Sequence, residues 1–201
     1  MSKQEQILQS ATQLFLELGF GAVSMDLMAK KAQVSKATIY AYFTSKNELF
    51  LASLSYNRQQ QKIIYPKLPQ SPSKNKNICL GTLRGYLNVS FDYFVNEIEC
   101  SFTRLLIAEL PHFPELFTLF YKDHETHITS NLGIYLKQYY EMHNPQKIHQ
   151  SYLIACQIID ILRGQTLWVK LTKNPKREQF IANKTKTIDD IMPTVSLLLD
   201  I

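Results

Sequence analysis

The sequence predicts an all-α fold, and three observations carry that expectation. Glycine and proline are scarce, six and eight in 201 residues. Apolar residues recur at three- and four-residue intervals, with few of the alternations a half-buried strand requires. Helix-start signals of the form S-x-x-E occur at Ser2–Glu5 and again at Ser45–Glu48. In such a pair the two side chains satisfy backbone N–H groups that the first helical turn leaves open.

The first helix follows Ser2. Ile7, Leu8, Ala11, Leu14, Phe15 and Leu18 make one apolar stripe, and Gly19 is placed to end it. Ser24 caps a second helix running to about Ala32, and Ser35 caps a third reaching about Tyr40. Two short helices separated by Gln33-Val34 read as a helix-turn-helix. Ser45 and Glu48 open a fourth helix through about Ile63. The run from Pro66 to Asn77, with prolines at 66, 69 and 72, is the clearest loop in the chain. Beyond it, Leu80, Leu83, Leu87, Phe91, Phe94 and Ile98 share a face of a long helix. Another helix begins near Ile98 and ends before Pro111, and a further segment runs from about Phe113 to Met142. The stretch 147–171 is apolar on two faces, one of them carrying Ile154, Ile158, Ile161 and Trp168. Burying both faces calls for a second surface, and a second copy of the chain is the simplest supply. The last helix carries Phe180, Ile188, Ile191, Met192, Val195 and Leu198, with Pro193 expected to kink or split it.

Composition narrows the function classes. Apolar residues at 45% and charged residues at 19% suit a globular chain and exclude global disorder. No apolar run reaches a membrane span, and the N-terminus lacks the apolar core of a signal peptide. Three cysteines, Cys79, Cys100 and Cys156, are too few for a disulfide framework, so a reduced, cytoplasmic setting is expected. The net charge is +5. Residues 1–62 hold seven Lys and Arg against four acids, and four lysines stand between Asp26 and Glu48 with no acid among them. A positive stretch of that kind suits a polyanion or a solvated face. His124-x-x-His127 has metal-ligand spacing but no visible third ligand, so no metal is expected. Oxidant sensing by Cys79 or Cys100 has no support, since nothing points to a lowered thiolate pKa. No phosphate loop, nucleophile elbow or zinc-protease motif occurs, and an enzyme is not expected.

Residues 20–50, FGAVSMDLMAKKAQVSKATIYAYFTSKNELF, resemble the DNA-binding unit of the TetR family of bacterial transcriptional regulators. The match runs in order from about residue 5 to 55. It rests on Gly19-Phe20, Val23-Ser24-Met25, Ala29, Ala32, Val34-Ser35, Ile39-Tyr40, Tyr42-Phe43, Ser45-Lys46 and Glu48-Leu49. It departs at Gln33, where the family has glycine, and at Met28, where Ile or Val is usual. Segments 102–121 and 161–171 are similar to the C-terminal domain of the AefR-like branch of the same family.

The resemblance implies three regions. Residues 1–47 form the helix-turn-helix domain, with its motif at about 24–43; 48–77 form a connecting helix and loop; 78–201 form a ligand-binding and dimerisation domain. DNA contact is expected at Ser24, Met25, Ser35, Lys36, Ala37, Thr38, Tyr40, Tyr42 and Lys46. Lys36 can donate to guanine, Thr38 can touch a thymine methyl, and Ala37 is small enough for close approach. Tyr40 and Tyr42 offer hydroxyls to phosphates. Lys46 opposes the dipole at its helix N-terminus, which suggests a phosphate partner. An apolar effector pocket is expected from Phe91, Phe94, Phe102, Phe117, Phe120, Tyr121 and Trp168. A dimer interface is expected from Ile154, Ile158, Ile161, Ile191, Val195 and Leu198. The expected protein is thus a cytoplasmic homodimer bound to a palindromic operator in double-stranded DNA and released by a small, mostly apolar molecule, with no cofactor and no membrane partner. The alternative is a DNA-binding adaptor of the same fold that recruits or blocks another protein.

Overall fold

A computed structural model describes residues 1–60, 65–118, 125–172 and 178–200. Every regular element among them is helical. The chain divides into two compact units. One comprises residues 1–63 and 101–119, the other 64–100 and 120–201.

The first unit starts with α1 (Lys3–Ala22), whose predicted capping box is formed: Glu5 N–H donates to Ser2 Oγ at 3.1 Å and Ser2 N–H to Glu5 Oε2 at 2.7 Å. Gly19 interrupts the helix instead of ending it. At φ 78°, ψ 168° it occupies a conformation that L side chains rarely adopt, and the helix resumes to Ala22. Next come α2 (Met25–Ala32), α3 (Lys36–Tyr42) and α4 (Lys46–Gln60). Thr12 on α1 donates its hydroxyl to Ser53 O on α4 at 2.9 Å, and Gln6 Nε2 donates to Ala32 O at 2.8 Å. These bonds tie α1 to α4 and to the end of α2. An aromatic cluster fills the space behind them. Phe50 packs at 4.8 Å from Phe15, 5.0 Å from Phe20 and 5.1 Å from Phe113 between ring centres.

Gln33 sits at φ 52°, ψ 45°, the left-handed region expected where related sequences carry glycine. Its N–H donates to Lys30 O, and Val34 N–H donates to Ala29 O at 3.1 Å, which closes α2. A non-glycine residue there costs roughly 1 kcal/mol. Gln33→Gly is therefore expected to stabilise the chain by up to about 1 kcal/mol and to raise its melting temperature by a few degrees, read by circular dichroism. A lower melting temperature would show that the Gln33 side chain contributes more than its backbone costs.

The second unit contains α5 (Lys76–Val95), α7 (Ser130–His143), α8 (Ser151–Gln165), α9 (Leu167–Thr172), α10 (Gln179–Ala182) and α11 (Lys184–Leu199). Helix α6 (Glu97–Glu109) begins in this unit and ends in the first. The helix expected to begin near Ile98 starts at Glu97, and Ile98, also counted on the apolar face of α5, is 53% exposed. Asn96 breaks the helix there, and its Oδ1 accepts the N–H groups of Ile98 and Glu99. One π turn, Glu125–Thr129, leads into α7. The doubly apolar stretch breaks at Thr166, between α8 and α9. Pro193 lies within α11 without splitting it.

Gly133 lets α7 and α8 approach closely, since a Cβ there would lie 3.2 Å from the Tyr152 ring. The end of α11 is held by α7 and by the segment that follows it. Tyr139 and Tyr140 donate their hydroxyls to Leu199 O and Leu198 O, and Lys147 pairs with Asp200 at 2.7 Å. Hydrogen bonds from Lys147 and Asn144 hold the Asp200 carboxyl below its usual pKa.

Candidate nucleic-acid interface

Helix α3 is amphipathic over only seven residues. Ile39 is fully buried, whereas Ser35, Lys36, Ala37, Tyr40 and Tyr42 are exposed and Thr38 is half-buried. Ser35 caps the helix by accepting the Thr38 N–H at 3.0 Å, and its hydroxyl also meets the Thr38 hydroxyl at 2.8 Å. Ser24 caps α2 by accepting the Leu27 N–H at 3.1 Å. The caps fix where each short helix starts, and so fix which side chains its first turn presents to solvent.

Lys36 pairs with Asp26 at 3.0 Å across the turn. Asp26 was not among the sequence-predicted site residues. It stands at the start of α2 and lies ten residues from Lys36, so no helical spacing links the two in the sequence. Both side chains are open to solvent, and an exposed pair of this kind adds no more than about 1 kcal/mol to stability.

Two predicted contacts take other places. Met25 is only 8% exposed, and its side chain packs into the core instead of facing solvent. An apolar residue at the first position of a short helix is drawn inward, because there is little other surface to anchor the helix. Lys46 is half-buried, with Nζ 4.2 Å from the centre of the Phe20 ring. Desolvation lowers its pKa, and Glu109 acts in the opposite direction. Glu109 also accepts the Phe20 N–H at 3.1 Å, the donor next to the Gly19 break. Lys46 therefore already has aromatic and acidic neighbours within its own unit. Glu48, three residues after the cap Ser45, reaches the N–H and hydroxyl of Thr44, and these bonds lower its pKa.

The predicted effector pocket is not assembled as expected. Phe91 and Phe94 are buried in the second unit and Phe102 in the first. Phe117 and Trp168 are 51% and 52% exposed, so neither lines a closed cavity. Phe120, Tyr121 and His124 lie outside the described residues. His127 stacks on Tyr65 at 4.4 Å, and no metal-binding group of three occurs among the described residues. Cys79 and Cys100 are buried.

The predicted dimer surface needs a correction. Ile154, Ile158, Ile191 and Val195 are each no more than 5% exposed within a single chain, and Ile161 and Leu198 are partly covered. The second surface that α8 needed comes from the same chain, because α5, α7 and α11 all pack against it. Segment 101–118 also differs from the expected division. It groups with residues 1–63 through Phe113 and Glu109, not with the C-terminal helices.

Residues 7–53 match the family model of bacterial regulatory proteins, tetR family. The HTH-type transcriptional regulator YhgD of Bacillus subtilis is 46% identical over 50 residues, which are 25% of this chain and 26% of YhgD. The chain thus matches about a quarter of that relative's length. Two solved structures match along nearly the whole chain. The Flavonoid-responsive Regulator FrrA is 30% identical, with 92% of this chain and 94% of its own covered and a TM-score of 0.56. A Mesorhizobium loti protein assigned to the TetR-family transcriptional regulators is 22% identical, with 98% and 95% covered and a TM-score of 0.70. No helix among the described residues is long and apolar enough to cross a membrane.

Proposed function

We propose that this chain, which belongs to the TetR family of bacterial regulatory proteins, acts as a dimeric DNA-binding transcriptional regulator, most simply a repressor. Each copy reads one half of a palindromic operator with α3. The observation that carries this reading is the solvent-facing row on α3, where Lys36, Ala37, Tyr40 and Tyr42 stand outward while Ile39 anchors the opposite face. The first turn of a recognition helix reaches base edges, and the flanking hydroxyls and capped helix starts suit phosphates. Ser24 and the Met25 backbone serve the second purpose. Lys46 positions Phe20, and any contact it makes with phosphate competes with the Phe20 ring and Glu109.

A second copy covers what this chain leaves open. Leu153 is 58% exposed, and it shares a face of α8 with Gln157 and Asp160. Leu197 on α11 is 77% exposed. Large apolar side chains exposed to this degree on neighbouring helices of one unit favour association. The double substitution Leu153→Glu and Leu197→Glu is expected to leave the helical content unchanged and to give a monomer in sedimentation velocity. Operator affinity is lost along with the dimer. A dimer that survives both changes would refute this assignment.

The chain is read as cytoplasmic, with an input from a small, mostly apolar molecule held in the C-terminal domain, the region of AefR-like resemblance. FrrA is named as flavonoid-responsive, which supports an effector of that general character. Helix α6 supports a route for the signal. It begins among the C-terminal helices, and its far end carries Glu109 on the Phe20 N–H. Ligands that raise the melting temperature of the free protein and lower its operator affinity are the expected effectors.

A further inference from the structure

A cavity of about 280 Å³ lies in the second unit, between the proline-rich loop 66–70 and one face of α7, where Asn131, Ile134, Tyr135 and Gln138 line it. It is separate from Phe91 and Phe94, neither of which lines it. Two features distinguish it from a packing defect. Gln138 carries a buried polar atom, Oε1, with no hydrogen-bond partner, whereas the Tyr135 phenol is turned to Cys79 and Thr82, which do not line the cavity. Buried polar groups are otherwise nearly always satisfied, so an orphan oxygen on this wall marks a place where a partner is missing.

The charge pattern is also one-sided. Lys67 is the lone ionisable lysine, arginine, histidine or carboxylate side chain on the lining. Pro66, Pro69 and Ile134 supply apolar wall, and Gln138 Oε1 calls for a ligand N–H or O–H. The π turn Glu125–Thr129 precedes this wall, and Asn131 Nδ2 donates to His127 O within it, at 3.0 Å. Such turns recur at functional sites.

We propose that this cavity binds a small hydroxylated carboxylate, with its carboxylate toward Lys67, its hydroxyl toward Gln138 and its carbon frame against the prolines and Ile134. The site is defined by binding to the free protein and does not depend on the DNA-binding reading.

The test is isothermal titration calorimetry of the full chain with three probes. These are 4-hydroxybenzoate, its methyl ester and benzoate, with amide shift mapping of the first by NMR. 4-Hydroxybenzoate is expected to bind and to shift amides of residues 67–70 and 131–138. The ester, which lacks the charge, and benzoate, which lacks the donor, bind at least tenfold more weakly. Lys67→Gln is expected to bring 4-hydroxybenzoate down to the level of its ester, and Gln138→Leu to the level of benzoate. Lys67 is an exposed loop residue, so its replacement leaves the fold intact. No binding of 4-hydroxybenzoate at millimolar concentration overturns the proposal. So does binding indifferent to both substitutions, or shifts confined to other parts of the chain.

Discussion

Lys36→Ala is expected to weaken operator binding by about 1–3 kcal/mol, roughly 5-fold to 150-fold, while the melting temperature stays close to that of the parent chain. Both halves of that expectation follow from one contact. In the free protein Lys36 is held by Asp26 at 3.0 Å, with 48% of its side chain and 76% of Asp26 exposed. A pair so open to water adds little to folding, so removing it costs little stability. On DNA the same ammonium exchanges Asp26 for a base edge or a phosphate, and its loss removes that interaction. Asp26→Asn separates the two roles of the pair. It removes a negative charge from a surface that must approach phosphates, so non-specific DNA binding rises by several-fold and discrimination between operator and random duplex falls. Fluorescence anisotropy at two or more salt concentrations reads both changes. Equal affinities for the Lys36→Ala and parent proteins would remove α3 from the interface.

Phe50→Ala is the substitution expected to damage the protein most. Phe50 is fully buried and meets Phe15, Phe20 and Phe113 within 5.1 Å. Truncating such a ring costs about 3–5 kcal/mol through lost burial and the void left behind. A domain typically holds only about 5–15 kcal/mol in total, so much of the stability of the first unit goes with it. Phe50→Leu refills most of the volume and is expected to cost less than about 1.5 kcal/mol. Urea titrations followed by circular dichroism give both values. A loss under 1 kcal/mol for the alanine variant would mean that the four rings do not pack as a cluster.

That cluster also marks where the sequence stopped being informative. The short helices were legible because Ser2, Ser24, Ser35 and Ser45 are caps with a local chemistry, and each is observed capping. The left-handed turn at Gln33 was legible only through the resemblance, which places glycine at that position. Phe113 was not assignable to the first unit, because nothing local to it records that its partners are Phe20 and Phe50, more than sixty residues earlier. Helix periodicity placed Ile154, Ile158, Ile191 and Val195 on apolar faces. It could not say whether the covering surface belonged to the same chain, and here it does. The Lys36–Asp26 pair and the orphan Oε1 of Gln138 share this property. They arise from the way helices meet, which spacing along one helix does not encode. Glu109 is a further case, since an acid at the end of α6 looks like any solvated residue until the Gly19 break exposes the Phe20 N–H beside it.

The most direct measurement is a selection of bound duplexes from a random DNA pool by the purified full chain. The account predicts enrichment of two-fold symmetric sequences whose half-sites are centred about one helical turn, 34–36 Å, apart, with enrichment abolished by Lys36→Ala. A pool that emerges unenriched in dilute salt, or one enriched identically by the Lys36→Ala protein, would contradict it.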